Sequence, residues 1–422
     1  MADPGEKPFP YECANADFEA LFRHIPGGFH PVHLGDILHN ERYRILHKLG
    51  YGSFSTVWAA RDEQKQRYVA IKIPVADAPS TLETSILRTL AESKTEHPGM
   101  AYLPTLLDEF ELVGPNGTHN CIVTEVYGVS VGLDLEDEHV PLLASAARRR
   151  QREVLQAVDC LHQHGIVHGD LYTGNVVWTL RGVDDLTEEE FLRFFCYAQI
   201  KEVKSKDGSP LPPNVPRYLV KHDYRPTQAW NEDDIMLIDF GQAFHLNSPP
   251  DGLVTPLQYR APEIVFEETL DEKVDVWSAG MLCFVLLTTF PPIDPMILDE
   301  DELIDALIKA THHQLPERWQ EEGQEMISNV KYPASDDYAN FQAIIEAFVE
   351  RADSEKVQDL PTQVFQRAGD LFEKTLRLDP KERISAKEAL ELDWFKDTSS
   401  PAILTSTPGT SGPTSNTRNP DS

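Results

Sequence analysis

An aspartate followed five residues later by an asparagine, in His168-Gly169-Asp170-Leu171-Tyr172-Thr173-Gly174-Asn175, constrains this chain more than any other feature in it. The stretch comes after a helix-like run and before the apolar Val176-Val177-Trp178. That order suits an Asp that orients a hydroxyl for attack and an Asn that holds a metal ion beside a polyphosphate. Further on, Ile235-Met236-Leu237-Ile238 reads as a buried strand delivering Asp239-Phe240-Gly241, a second carboxylate for the same ion. Short motifs recur by chance, so their weight depends on what stands at the other expected places.

Upstream, Tyr43-Arg44-Ile45-Leu46 leads to Leu49-Gly50-Tyr51-Gly52-Ser53-Phe54-Ser55-Thr56-Val57-Trp58 and then to Tyr68-Val69-Ala70-Ile71-Lys72. This spells strand, glycine turn, strand, hairpin, strand. Glycines at 50 and 52 let backbone amides approach phosphates that a Cβ would obstruct. A lysine closing a strand ordinarily snorkels to solvent, but Lys72 is placed to meet phosphates under that turn. Residues 81–90 have helical spacing, and Glu83 is the natural ion-pair partner for Lys72. Residues 121–128 read as a strand running into a link between lobes. Residues 144–164 read as a long amphipathic helix whose Arg148-Arg149-Arg150-Gln151-Arg152 run forms the wet side.

The stretch between Asp170 and Asp239 is far longer than a connecting hairpin requires. It predicts an insert at about 180–232, with a capping box in Thr187-Glu188-Glu189-Glu190 and an aromatic run at 191–197 that packs rather than floats. Residues 292–370 read as helical and acidic, and 398–422 as disordered, having almost nothing to bury.

Composition narrows the partners. Lysine and arginine number 38 against 69 aspartate and glutamate, a formal charge of −31. That argues against nucleic acid or an anionic membrane and suits a basic partner, although an acidic surface also serves solubility. With 422 residues and 41% hydrophobic content the chain can build a two-lobed domain with a sizeable core. Five scattered cysteines without a C-x-x-C pair point to a reducing compartment with neither disulfides nor a zinc site. The N-terminus has no apolar signal core. The run 276–290 is shorter than the roughly 20 residues of a membrane span and reads as a buried helix.

Glycine loop, Val69-Ala70-Ile71-Lys72, helix glutamate, His-x-Asp…Asn, Asp-Phe-Gly, Ala261-Pro262-Glu263, Asp275-Val276-Trp277-Ser278-Ala279-Gly280 and the late Arg383 come in sequence. In that order they resemble a eukaryotic protein kinase domain over about 40–396. Gly52-Ser53-Phe54-Ser55-Thr56-Val57-Trp58, Gln258-Tyr259-Arg260 and the long spacer are similar to the serine/arginine-protein kinase family, and His-Gly-Asp to its divergent, fungal-type members.

The resemblance implies an α+β bilobal protein kinase fold, with a β-rich N-lobe and a mainly α-helical C-lobe. Its parts would be an N-terminal extension at 1–41, an N-lobe at 42–127, a C-lobe at 128–396 carrying the insert at about 180–232 and a second at about 292–370, and a tail at 397–422. Leu49, Gly50, Gly52, Val57 and Ala70 would cover ATP, and Glu125 and Tyr127 would line adenine. Lys72, held by Glu83, would grip the phosphates. Asp170 would orient the substrate hydroxyl, and Asn175 and Asp239 would bind Mg2+. Glu263 with Arg383, and Asp275 under the catalytic loop, would serve stability. The implied substrate is a protein, Arg/Ser-rich and basic, phosphorylated on serine or threonine by a monomeric enzyme with no direct nucleic-acid or membrane partner. No clean nuclear-localisation cluster is present, so the expected place is the cytoplasm, with nuclear entry left open.

Three departures qualify this. Ser55 stands where a third glycine often does. Gly169 replaces an arginine that commonly pairs with a phosphorylated activation loop, which implies order by packing rather than by phosphate at Thr255. Tyr172 replaces the lysine expected two residues after Asp170. One such electrostatic contact contributes about 2.7–4 kcal/mol to a transition state. The alternatives are therefore a pseudokinase scaffold that binds ATP without transfer, and a small-molecule phosphotransferase with a similar loop. Against the second stand Ala-Pro-Glu and Arg383.

Overall fold

The computed structural model describes residues 9–12, 17–78, 82–138, 143–193, 198–222, 234–293, 296–297, 299–331, 340–355, 359 and 362–396. The expected disordered tail and residues 194–197 of the aromatic run lie outside them.

Six short strands come first: β1 (Ile37–Leu38), β2 (Tyr43–Tyr51), β3 (Ser55–Asp62), β4 (Arg67–Pro74), β5 (Asp108–Gly114) and β6 (Gly117–Thr124). They form one antiparallel sheet in the order β1-β2-β3-β4-β6-β5, with α1 (Glu83–Glu92) set between β4 and β5 in the chain. Strand residues alternate faces. Trp58, Ile71 and Val123 therefore share one face, where they join Ile45, Val69 and Phe110 in an apolar layer. Val57, Lys72 and Ile122 pair across the other face, which leaves Lys72 free of that layer. Helix α1 buries Ile86, Leu87 and Leu90, a stripe at helical spacing that presents Glu83 in the first turn.

The remainder is mainly helical: α2 (Val131–Glu138), α3 (Ala144–Gln163), α4 (Glu188–Arg193), α5 (Pro262–Val265), α6 (Lys273–Thr288), α7 (Glu300–Thr311), α8 (Gln320–Asn329), α9 (Phe341–Glu355), α10 (Thr362–Thr375), α11 (Ala386–Leu390) and α12 (Asp393–Lys396). Helix α6 is apolar all round and buried from Val274 to Thr288, as a helix at the centre of a bundle must be. It packs on α3, where buried Gln151 donates to the Cys283 carbonyl at 2.7 Å and accepts from the Trp394 indole at 2.6 Å. The described cysteines 121, 160 and 283 are buried and unpaired. Among the described residues no helix is long and apolar enough to cross a membrane.

The arginine run on α3 is not its wet side. Arg148 lies 5.6 Å over Trp394, Arg150 5.1 Å over Trp178, and Arg152 5.2 Å over Phe395. Arg150 also donates to both oxygens of buried Glu153 at 3.0 and 3.1 Å. Helix α3 is enclosed on several sides, so its arginines lay their stems and guanidinium planes on aromatic rings. Arg149 is the exposed one of the run.

The stretch between the two motif loops turns back onto the sheet. The Thr187–Glu190 capping box forms, with Thr187 N–H donating to Glu190 at 2.8 Å and Glu190 N–H to the Thr187 hydroxyl at 3.3 Å. It starts α4, whose Phe191 stacks flat on Tyr68 of β4 at 3.8 Å between ring centres. Beside it Arg44 donates to both Glu188 oxygens at 3.1 and 2.7 Å. The following hairpin, β9 (Ile200–Glu202) with β10 (Tyr218–Val220), packs Val203, Val215 and Leu219 on Leu21 of the N-terminal segment.

Candidate active site

Two short antiparallel pairs bring the motif loops together. Strand β7 (Ile166–Val167) pairs with β12 (Phe244–His245), and β8 (Val176–Trp178) with β11 (Ile235–Leu237). The loop 168–175 thus leaves β7 and enters β8, while 238–243 leaves β11 and enters β12. Both emerge at one end of the pairs, where Ile238 N–H donates to the Asn175 carbonyl at 2.9 Å.

Asp275, 1% exposed at the start of α6, accepts from the backbone N–H of His168 at 2.7 Å and of Gly169 at 2.9 Å. His162 approaches the same carboxylate at 3.0 Å. The His168 ring accepts from Asp170 N–H at Nδ1 (3.3 Å) and meets the Ile238 carbonyl at Nε2 (3.1 Å). Since an amide can only donate and a carbonyl only accept, these contacts select the neutral Nε2–H tautomer. Burial lowers the His168 pKa and keeps it in that state.

The catalytic candidates converge above this floor. Lys72 Nζ lies 2.7 and 2.8 Å from the two oxygens of Glu83 and 2.8 Å from Asp239. Burial disfavours the ammonium charge, but the two carboxylates outweigh it and raise the Lys72 pKa. In return Lys72 holds the Asp239 carboxyl below its ordinary range. Asp239 takes a left-handed backbone, φ +64°, rare for a non-glycine, and its side chain is 47% exposed to the cleft. Asn175 Nδ2 donates to the Asp170 carbonyl at 2.9 Å and to its carboxylate Oδ2 at 3.0 Å. The other carboxylate oxygen of Asp170 is buried without a donor among the described residues. Burial, and then the charge of Asp239, push the Asp170 pKa up to about 7.

A hard cation suits this donor set. Asn175 uses its amide hydrogens on Asp170, which leaves its side-chain carbonyl oxygen without a protein donor among the described contacts. Beside it stands the ionised, half-exposed Asp239. Among the described residues no three His, Cys, Asp or Glu side chains form a closed metal site. A Mg2+ ion carried by substrate phosphates needs only one or two protein oxygens.

In the glycine loop at the sheet end of the cleft, a Cβ added to Gly50 or Gly52 would meet nothing within 4 Å. Leu49 packs beside Val126 and Leu180, Val57 is half-buried and Ala70 buried. Glu125 is exposed and its carbonyl accepts the Thr124 hydroxyl at 3.1 Å, while Tyr127 is half-buried.

Three features went unread in the sequence. Gly169 has φ +77°, and a Cβ there would come within 2.8 Å of the Gln242 carbonyl oxygen. An arginine could not occupy this corner without moving the loop. The Gly169 carbonyl accepts the hydroxyl of Thr255, 2% exposed, at 3.0 Å, and the Thr255 carbonyl accepts two bonds from Arg260 at 3.1 and 2.7 Å. Finally, a Cβ on Gly174 would lie 2.3 Å from the Tyr172 ring. The glycine is what lets that ring fold back over the loop toward Tyr259, whose centre is 6.0 Å away. A glycine two residues after an aromatic was the available signal.

A protein kinase domain family matches residues 43–186 and 227–395. The chain belongs to the protein kinase family. A serine/threonine protein kinase of Aspergillus fumigatus is 32% identical over 270 residues, covering 62% of this kinase and 61% of that protein. Protein kinase dsk1 of Schizosaccharomyces pombe is 39% identical over 158 residues, 36% of this chain and 29% of its own. SRSF protein kinase 3 of Homo sapiens is 35% identical over 158 residues, 36% of this chain and 28% of its own. These relatives bear out the expected resemblance to serine/arginine-protein kinases, and the matches span 61% or less of each of them.

Proposed function

We propose that this kinase transfers the γ-phosphate of ATP, in a magnesium-dependent reaction, to serine or threonine hydroxyls in basic, Arg/Ser-rich protein segments. The observation that carries the reading is the unpaired, buried Asp170 oxygen in the same cleft as the Lys72–Glu83–Asp239 cluster. Lys72 binds phosphate oxygens and Glu83 keeps it aimed. Asp170 accepts the substrate hydroxyl proton as that oxygen bonds to the γ-phosphorus and the bond to ADP breaks. Asn175 and Asp239 would hold a magnesium ion, which would supply positive charge against the phosphates. The buried Thr255 hydroxyl on Gly169 supports an activation segment ordered by packing, without phosphorylation. The charge of −31 and the similarity to SRSF protein kinase 3 support a basic substrate, met in the cytoplasm or nucleus.

The test is transfer from radiolabelled ATP to an arginine/serine-repeat peptide, with an arginine-free serine peptide and a small alcohol as competitors. Transfer to the basic peptide is expected, and Lys72→Met lowers it by about a hundredfold or more. Magnesium-dependent ATP binding without any transfer would replace this reading with an ATP-binding scaffold.

Tyr172 gives a second measurement. Tyr172→Lys is expected to raise kcat by about tenfold near pH 6.5, since a cation there both attracts the transferred phosphoryl group and lowers the Asp170 pKa. The slimmer stem leaves Gly174 uncrowded. An unchanged kcat and pH profile would show that the phenol already meets the need.

A further inference from the structure

The N-terminal segment carries a buried cluster that the chemistry above does not use. Glu19, 4% exposed, is ion-paired with Lys48, 1% exposed, and lies 3.7 Å from buried His24. Lys48 belongs to β2, just ahead of the glycine loop, with its ammonium 5.4 Å over Tyr51 and 5.1 Å over Trp58. Four residues beyond Glu19, the Arg23 guanidinium sits 5.5 Å over Phe54 at the tip of the same loop and 5.1 Å over Phe29.

The segment is fixed between these grips. Ala76 N–H donates to the Gly28 carbonyl at 3.1 Å and Asp77 N–H to Gly27 at 2.8 Å, which ties it to the end of β4. A Cβ on Gly27 would lie 2.0 Å from the Asp77 carboxylate, and one on Gly28 1.9 Å from the Arg23 carbonyl, so the turn tolerates only glycine. Both the base and the tip of the glycine loop are therefore held from outside by one stretch, residues 19–28.

We propose that residues 19–28 position the glycine loop for nucleotide, with Glu19 and Arg23 as positioning residues that act through Lys48 and Phe54. This rests on the nucleotide site proposed above. A free glycine loop samples open states and lowers apparent affinity by the fraction that is competent. The two grips bias it toward the closed state before ATP arrives. Saturating ATP selects that state anyway, so releasing a grip changes affinity and not turnover.

The experiment is direct binding of a fluorescent ATP analogue to the full chain, with steady-state kinetics alongside. Arg23→Ala is expected to raise Kd and KM for ATP about five- to tenfold, the effect of a competent fraction falling to 0.1–0.2, with kcat within about twofold. Arg23→Lys, which keeps a cation over Phe54, recovers most of the affinity. Arg193→Ala, an exposed arginine of α4 paired to Glu189, serves as control and changes neither. Glu19→Gln leaves Lys48 buried and uncompensated and can unfold the segment. Arg23 is half-buried and has no carboxylate partner among the described residues, so truncating it strands no described carboxylate. Unchanged Kd and KM in folded Arg23→Ala overturns the proposal. Wild-type protein that binds no nucleotide overturns the site reading instead.

Discussion

Asp170→Asn lowers phosphoryl transfer by about 10²–10⁴-fold, the usual contribution of a positioned base, and yet stabilises the nucleotide-free protein at pH 8. The same geometry produces both effects. Asp170 carries an unpaired buried oxygen, and burial together with Asp239 puts its pKa at about 7. The folded pKa is thus above the unfolded value, so protonation favours the folded state. The associated stability is fully present below about pH 4 and is lost as pH rises through 7. At pH 8, above the raised pKa of about 7, the ionised carboxyl opposes folding. Discounted for the part of the group that meets solvent, the penalty is about 2 kcal/mol. Asparagine removes the charge and keeps an oxygen for the Asn175 amide. Urea denaturation at pH 8 and pH 5 is the check, with the difference between variant and wild type shrinking toward zero as pH falls. The wild-type kcat/KM follows the same group and declines below about pH 7 with the slope of one proton. A variant no more stable than wild type at pH 8, or a flat pH profile down to 5, would remove Asp170 from its role.

The parts of this molecule that the sequence made legible are those governed by local rules. Strand alternation placed Lys72 on the face away from Trp58 and Ile71, and helical spacing placed Glu83 in the first turn of α1, so their meeting needed no tertiary knowledge. The Thr187–Glu190 capping box was legible for the same reason. What could not be read depended on which distant surface a segment would cover. Nothing near Phe191 says that it will lie flat on Tyr68, or that Leu21 will close over Val203 and Leu219. The arginine run on α3 was misread because charge predicts exposure only where no aromatic surface lies within reach of the stem. Here Trp178 and the adjacent Trp394 and Phe395 come from two remote points of the chain. At Gly169 the sequence showed that an arginine was absent, but only the fold shows that the left-handed corner against Gln242 leaves it no room. Glycine substitutions are legible as missing side chains and illegible as backbone conformations.

Arg383→Ala costs about 3–5 kcal/mol of stability, the largest effect expected from a single change outside the cleft. Both partners of the Glu263–Arg383 pair are 2% exposed, and the contact is bidentate, at 2.6 and 3.0 Å. Arg383 also donates to the carbonyls of Lys273 at 2.6 Å and Arg377 at 3.0 and 3.2 Å, and lies 5.0 Å over Trp277. One guanidinium thereby joins the start of α5, the start of α6 and the turn after α10. Truncation strands the Glu263 carboxylate and two backbone carbonyls in a dry interior, where each unsatisfied group is costly. Arg383→Lys recovers only part of this, because a single ammonium cannot reproduce the planar fork. The double variant Glu263→Leu/Arg383→Met leaves no buried charge and is expected to lose clearly less than either single change, since the penalty comes from the stranded partner more than from the pair itself. Urea midpoints of the two single variants and the double variant, at constant m-value, measure the coupling. Additive losses would mean that Glu263 and Arg383 are uncoupled and that each stabilises the lobe through its other contacts. Losses that largely cancel would mean that the penalty of each single change lies in the charge it strands, and a loss remaining in the double variant measures the Lys273 and Arg377 carbonyls that Arg383 satisfies.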